Sequence, residues 1–323
     1  MTEFRLTLSN GREVLISGDC NILEGARQKG IILNHSCLSG QCGVCSCELV
    51  FGEVETENNL LQSSGEGNSE RILTCQSRPL SDLKIDIEDL GAYLEYPAKT
   101  YPARVSALTL LAKDVLKVTL RTPPSLKMQF LPGQYVDLIS GDVRRSYSIA
   151  NAEREEGTID LIVKKVHAGK MSAVLFGDTN ENDIFRLEGP LGTFGWRDPP
   201  PKNIVFLATG TGIAPVLSML ERFDCPNGTV TIIWGNRHKN EFFSCSDLEA
   251  KVCFLRVLSR DVAEGYFSGY VQDILVSLGL DFGNMKVYAC GSDNMIQSSR
   301  LLLQEKGLDL KNFHSDSFLS SGH

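Results

Sequence analysis

The stretch His35-Ser36-Cys37-Leu38-Ser39-Gly40-Gln41-Cys42-Gly43-Val44-Cys45 decides how the N-terminal third of the chain folds. Four residues separate Cys37 from Cys42, two separate Cys42 from Cys45, and Cys75 follows after 29 more. A C-x4-C-x2-C run with a distant fourth cysteine is the spacing of thiolates that hold a [2Fe-2S] cluster, here Cys37, Cys42, Cys45 and Cys75. Gly40 and Gly43 suit a loop that turns tightly and aims N–H groups at inorganic sulfide. Disulfides and a zinc knuckle are the competing assignments. Zinc sites favour paired C-x2-C units, and only Cys42–Cys45 has that spacing. Cys47, in Ser46-Cys47-Glu48-Leu49-Val50, reads as an inward side chain of the next strand.

Upstream of the loop, Phe4, Leu6 and Leu8 alternate before Asn10-Gly11, then Val14 and Ile16 follow, a hairpin pattern. Asn21, with Glu24 three residues on, is placed to cap a short helix whose apolar face is Ile22, Leu23 and Ala26. Downstream, an acidic stretch from Glu53 to Asn68 leads to Cys75, and alternating Leu83, Ile85 and Ile87 close the unit near residue 90. This order resembles the β-grasp fold of plant-type ferredoxins. The resemblance implies a [2Fe-2S] ferredoxin domain over residues 1–92, with 93–100, including Pro97, as a linker.

A chain of 323 residues implies two or three domains. Its net charge of −8 argues against nucleic-acid binding, which calls for a basic face. Residues 1–97 hold seven Lys or Arg and fifteen Asp or Glu, whereas the rest holds 25 of each sign, so the whole excess sits on the cysteine-rich segment. That excess serves solubility, or offers an acidic docking face to a protein that accepts electrons. No stretch pairs a basic n-region with an apolar h-region, and no run reaches the length of a membrane span, so a cytoplasmic protein is expected. Ten cysteines in a reducing compartment point to metal ligation rather than disulfides. Cys20, Cys225, Cys245 and Cys253 lack ligand-like spacing and read as core or surface residues.

From residue 101 the texture changes to short strands separated by turns: Arg104–Leu108, Val115–Leu120, Gln134–Ile139 and Ile159–Val163. A small antiparallel barrel over 101–199 is expected. From residue 200 to 323 strands alternate with helices: Ile204–Ala208, a helix over Pro215–Arg222, Val230–Trp234, Val252–Val257, a helix over Val271–Ser277, Val287–Cys290, and a helix through Leu303. That is the pattern of a parallel α/β sheet. The fold expected is therefore multidomain, with α+β, β and α/β parts in turn: a β-grasp ferredoxin domain, an antiparallel β-barrel flavin domain and an α/β parallel-sheet nucleotide domain.

In the barrel, Arg145-Ser146-Tyr147-Ser148 places Arg145 and Tyr147 on one face of a strand. Arg145 could neutralise a flavin phosphate, Tyr147 pack on the isoalloxazine and Ser148 hydrogen-bond near N5. Gly169-Lys170-Met171-Ser172 opens the apolar run Ala173-Val174-Leu175-Phe176, and a helix start with a glycine and a hydroxyl suits a pyrophosphate. Ala208-Thr209-Gly210-Thr211-Gly212-Ile213-Ala214-Pro215 follows a buried apolar strand and opens a helix, as a nicotinamide dinucleotide site requires.

With Glu188-Gly189-Pro190-Leu191-Gly192-Thr193-Phe194, these pieces resemble the ferredoxin–NADP⁺ reductase superfamily. Pro215 stands where G-x-G-x-x-G has its third glycine, and a proline suits the first turn of a helix. The resemblance implies that Cys290-Gly291, at a strand end, lies beside the nicotinamide, and that Phe318 covers the flavin where nicotinamide must stack. Ser148, Cys290 and Phe318 are thus the catalytic candidates. Gly210, Thr211, Gly212, Gly291 and Gly169–Ser172 complete the cofactor set, with FAD as flavin. Arg237, His238 and Lys239 could meet a 2′-phosphate, yet Glu241 could bond a ribose hydroxyl. Those residues leave NADH and NADPH both open. Members with an N-terminal ferredoxin domain usually take NADH, so the resemblance implies NADH.

The same resemblance implies an electron-accepting protein partner, either an oxygenase component or a pyridoxamine-phosphate sugar dehydrase of dideoxysugar synthesis. Oxygenase reductases commonly place prolines after Cys-Gly, whereas here Cys290-Gly291 is followed by Ser292-Asp293-Asn294-Met295. That segment, the tail Ser315-Asp316-Ser317-Phe318 and Arg144–Asn151 resemble the dehydrase-serving reductases.

Overall fold

The computed structural model describes residues 2–56, 60–65, 68–197, 203–223 and 229–318. The chain divides into two compact units, Met1–Pro97 and Ala98–His323.

In the first unit, β1 (Glu3–Leu8) and β2 (Glu13–Ser17) form the hairpin, and α1 (Ile22–Gln28) follows, with Asn21 Oδ1 accepting the Glu24 N–H at 2.8 Å. Then come β3 (Ser46–Thr56), β4 (Leu61–Ser64), β5 (Glu70–Leu73), β6 (Ser77–Pro79) and β7 (Leu83–Asp86). The sheet order is β2-β1-β7-β3-β4, with β5 and β6 also on β3. Leu6, Ile16, Ile22, Leu33, Leu49 and Ile85 are fully buried in its core, and each contributes about 1.5–3 kcal/mol by leaving water. Cys47 lies in the same core, because the alternation of β3 turns it inward.

The second unit opens with β8 (Lys99–Ala112), β9 (Val115–Arg121), β10 (Tyr135–Ser140), β11 (Val143–Ser148), β12 (Thr158–Lys164), the single turn α2 (Lys170–Ala173) and β13 (Ile184–Leu191). Their order is β11-β10-β13-β8-β9-β12, every pair antiparallel. A bridge from Ile149 to Leu161 joins the run after β11 to β12 and closes the barrel. The expected linker is occupied differently: a 3-10 turn covers Gly91–Glu95, and β8 begins at Lys99. Pro102 is tolerated inside β8 because pairing there is with β13 alone; pairing with β9 starts at Arg104.

The remainder is β14 (Asn203–Thr209), α3 (Ile213–Leu220), β15 (Thr229–Asn236), α4 (Ser246–Glu249), β16 (Cys253–Leu258), β17 (Phe267–Ser268), α5 (Val271–Ser277), β18 (Met285–Ser292), α6 (Asp293–Glu305) and β19 (Phe313–Phe318). The order is β17-β16-β15-β14-β18-β19, all parallel. Central β14 is buried on both faces: Ile204, Phe206 and Ala208 join one core, Val205 and Leu207 the other. The first of these cores also takes in Val115, Ile162 and Phe194 from the barrel, so the two sheets share apolar packing. The segment at 313–318, expected as a tail over the flavin, is a sheet strand with His314 to Ser317 buried. Cys245 is buried, Cys20 half-buried and Cys253 exposed, while Cys225 lies outside the described residues. Among the described residues, no helix is long and apolar enough to cross a membrane.

Candidate functional site

The cluster loop is shaped by three residues in the left-handed region, Leu38 (φ 58°), Gly40 (φ 76°) and Gly43 (φ 69°). A side chain on Gly40 would put a Cβ 2.7 Å from Gln76 Cγ, so the loop needs glycine there for space as well as for conformation. The turn aims the N–H groups of Ser39 and Cys42 at Cys37 Sγ, both at 3.4 Å. Hydrogen bonds from the Cys42 thiol and from Ser39 hold the Cys37 thiol down at about 4, against the pull of burial. Cys45 Sγ donates to Cys75 Sγ at 3.2 Å, which lowers the Cys75 pKa. The four thiols thus come as two pairs, Cys37 with Cys42 and Cys45 with Cys75. Among the described residues no three donors converge on one ion position. Two pairs of thiols, with the Ser39 and Cys42 N–H groups turned onto Cys37, fit the four-thiol donor set of a [2Fe-2S] cluster. Burial pushes the Cys47 thiol up, so the fifth nearby cysteine stays a neutral core group.

In the barrel, β11 separates its two arginines by face. Arg144 is bound to Asp137 at 2.7 Å and to Glu188 at 2.8 Å, and Ser146 Oγ donates to Asp137 at 2.5 Å. Arg145 points to the other face. It donates to the Arg144 carbonyl at 2.7 Å, and no carboxylate among the described residues pairs with it. Tyr147 shares its face, and burial pushes the phenol up to about 12 although Arg145 pulls it down. Ser148 is 6% exposed, and its Oγ has no hydrogen-bond partner among the described residues. An orphaned buried hydroxyl on the strand that also presents an aromatic and a guanidinium free of carboxylates fits a bound flavin, which would supply the missing partner.

Around Gly169 the structure differs from the expected helix. Residues Lys170–Ala173 form one α-turn and Val174–Asp178 a π-turn, with Gly177 weakening any longer helix. Ser172 Oγ accepts the Val166 N–H at 2.9 Å, Met171 is buried in the barrel core, and Lys170 is exposed.

A cavity of about 700 Å³ opens at the C-terminal ends of the parallel strands, where α/β sheets place ligands. Gly210 and Thr211 after β14, Gly291 at the end of β18 and Phe318 at the end of β19 line it. Gly212 and Cys290 stand behind that wall. Cys290 is fully buried, its Sγ donates to the Gly212 carbonyl at 2.8 Å, and burial with Asp316 nearby keeps it a neutral thiol. A Cβ on Gly212 would lie 2.3 Å from the Cys290 carbonyl oxygen, and one on Gly291 2.3 Å from Thr209 Oγ1. Both glycines are therefore fixed by close backbone approach.

Of the four residues that left NADH and NADPH open, Arg237 and Glu241 reach the cavity. Glu241 is committed to Lys164 at 3.1 Å and to the Arg237 N–H at 3.1 Å; burial works against its ionisation, but these partners outweigh it and lower its pKa. His238 Nδ1 and the Lys239 N–H both bind Asp261, each at 3.0 Å. Sequence reasoning missed Lys164, Asn236, Ser259, Arg260 and Gln272 on the cavity wall. Asn236 Nδ2 and Gln272 Oε1 are buried without a partner among the described residues, as polar groups awaiting a ligand would be. Asn236 ends β15, and Ser259 and Arg260 follow β16, so position at a parallel strand's end was the signal available for these three.

The family model described as a 2Fe-2S iron-sulfur cluster binding domain matches residues 7–80, that of an oxidoreductase FAD-binding domain 102–196, and that of an oxidoreductase NAD-binding domain 206–300. Protein RfbI of Salmonella typhimurium is 37% identical over 97% of this chain and 94% of its own. The CDP-6-deoxy-L-threo-D-glycero-4-hexulose-3-dehydrase reductase of Yersinia pestis is 36% identical over 94% of each. Reductase component 1 of a Comamonas terephthalate 1,2-dioxygenase is 30% identical over 93% of each. Among solved structures, an Amycolatopsis cytochrome P450 reductase superposes with a TM-score of 0.71 at 25% identity, covering 99% of this chain and 100% of its own.

Proposed function

The chain belongs to the CDP-6-deoxy-L-threo-D-glycero-4-hexulose-3-dehydrase reductases of the ferredoxin–NADP⁺ reductase superfamily, and on that premise we propose that it delivers electrons from NADH to a pyridoxamine-phosphate dehydrase acting on a CDP-linked 4-keto-6-deoxyhexose. It is an NAD(P)H-dependent oxidoreductase of FAD and a [2Fe-2S] cluster, and it serves an electron-accepting partner. The observation that carries the finer reading is full-length identity of 36–37% to RfbI and the dehydrase reductases, against 30% to the terephthalate oxygenase reductase.

FAD, when bound, takes a hydride as an electron pair and releases the electrons singly, which a one-electron cluster can carry onward. The residues supply the rest. Cys37, Cys42, Cys45 and Cys75 would hold the cluster, with the Ser39 and Cys42 N–H groups favouring the thiolate of Cys37. Arg145 would neutralise a flavin phosphate, Tyr147 pack on the ring and Ser148 donate its free hydrogen bond near N5. Gly210, Thr211 and Gly291 would admit the dinucleotide backbone, and Phe318 would occupy the place where nicotinamide stacks. The Cys290 thiol, bonded to Gly212, would hold the dinucleotide turn in place.

Anaerobic stopped-flow absorbance tests this. Iron-replete, flavin-loaded protein mixed with NADH is expected to bleach at the flavin and then at the cluster. Adding a CDP-hexulose dehydrase charged with its pyridoxamine intermediate is expected to reoxidise both. A protein that stays reduced with the dehydrase, yet is reoxidised by an oxygenase component, would replace the sugar pathway with the oxygenase one.

A further inference from the structure

Helix α3 carries the dinucleotide turn Gly210–Gly212 at its start and a polar anchor at its end. Glu221, the residue after its last turn, accepts the Ala152 N–H at 2.5 Å, and its other oxygen accepts Arg154 Nε at 3.0 Å and Nη2 at 2.9 Å. Three residues earlier, Ser218 Oγ donates to the Asn151 carbonyl at 2.7 Å. Both anchors land on the run that continues the flavin strand, since Asn151 follows Ser148 by three positions.

That run is itself stiff. Asn151 is fully buried; its Nδ2 donates to the carbonyls of Ala152 at 2.7 Å and Thr158 at 3.0 Å, and its Oδ1 accepts the Asp160 N–H at 2.6 Å. Ile149 N–H donates to the Gln134 carbonyl at 3.0 Å and Ala150 N–H to the Asp160 carbonyl at 2.8 Å. Arg154 also reaches Asp160 at 3.1 Å, and Thr119 Oγ1 donates to that carboxylate at 2.6 Å. Two rigid pieces, one bearing Ser148 and the other the dinucleotide turn, are therefore hydrogen-bonded to each other at the end of α3, in addition to the Lys164–Glu241 pair and the Trp196 indole on the Met219 carbonyl.

The apolar contact between the same sheets, Val115, Ile162 and Phe194 against Ile213 and Ala214, holds them together without fixing direction. Directional hydrogen bonds set register. Glu221 and Arg154 are each about one-third exposed on their side chains, so their ion pair adds little to stability. Hydride transfer is far more demanding, because reacting atoms must approach to about 3–3.5 Å and a misplacement of about 1 Å can cost roughly a hundredfold in rate.

We propose that Glu221, with Ser218 and Asn151, is a positioning unit that fixes the flavin strand against the dinucleotide turn, and so sets the rate of hydride transfer rather than the affinity for either ligand. The proposal rests on the FAD and NADH reading above, and NADH bleaching of the wild-type flavin tests that reading by itself. The test of the proposal is Glu221→Gln and, separately, Ser218→Ala in the full-length holoprotein.

At saturating NADH, the rate of flavin reduction per bound flavin is expected to fall at least about tenfold in Glu221→Gln, with the NADH dissociation constant and flavin retention changed by less than about twofold. In flavin-free protein, the Ala152 amide is expected to exchange at least about tenfold faster, with Ile204–Ala208 unchanged. Faster exchange at Ala152 with unaltered hydride transfer would overturn the proposal, as would a rate that falls only in step with NADH affinity. Should Glu221→Gln fail to fold, Ser218→Ala removes one hydroxyl and carries the same comparison.

Discussion

At Ser148 a hydroxyl is buried with no partner among the described residues, a state that costs about 1–3 kcal/mol unless a ligand relieves it. Ser148→Ala should therefore leave the melting temperature of flavin-free protein unchanged or raised, while slowing flavin reduction by about tenfold, one hydrogen bond's worth. A lower melting temperature without a kinetic effect would assign the hydroxyl to folding alone. For the thiols, Cys75→Ser is expected to abolish or bleach the cluster absorbance and leave flavin reduction by NADH intact. Cys47→Ser should keep its iron, because Cys47 belongs to the core around Leu49. Iron analysis beside visible spectra decides both. The cluster thiols were legible in sequence because a ligand loop is local, its spacing set by the turns that Gly40 and Gly43 permit. The Glu221 anchor was not, since its partner Ala152 lies 69 positions away.

Among the elements, β19 carries a pH signature. His314, on that strand, is buried against Tyr288 with its rings 5.1 Å apart. Burial, then the charges of Arg197 and Lys286, lower its pKa to about 3. The folded protein thus binds a proton there less readily than the unfolded chain, whose histidine titrates near 6.5. Stability from the neutral ring is complete above about pH 6.5 and is lost as pH falls from there toward 3, by up to about 1.4 kcal/mol per pH unit. His314→Phe is expected to flatten the dependence of denaturant midpoint on pH across that window, and an unchanged slope would assign it to carboxylates. The strand itself escaped sequence reasoning because Phe313-His314-Ser315-Asp316-Ser317-Phe318 has no apolar alternation. Pairing with β18 makes it a strand, and its polar side chains are covered on the sheet faces, His314 by Tyr288 and Ser317 by Asp293 at the start of α6. The strand–turn–helix around Gly210–Gly212 was legible because buried apolar β14 and Pro215 punctuate it locally.

For the molecule as a whole, the division at Pro97 and Ala98 separates the core of the first unit from those of the second. The fragment 98–323 is expected to fold, bind FAD and reduce ferricyanide with NADH at close to the intact rate, while losing transfer to protein acceptors. Failure of the fragment to retain flavin would mean that its barrel needs residues 1–97. Composition showed this division early, in a charge excess confined to residues 1–97. It could not show that barrel and parallel sheet share a core, because Val115 and Ile162 pack across a boundary that strand patterns alone draw as an outer face. The order of the parallel sheet also has a consequence for biogenesis. Strand β14 lies between β15 and β18, so a growing chain that has made β14 and β15 keeps one flank of β14 open until Met285–Ser292 emerges from the ribosome. Throughout that interval Ile204–Ala208 is an apolar ribbon with unpaired amides, and translational stalling before residue 285 should deliver it to chaperones and aggregates.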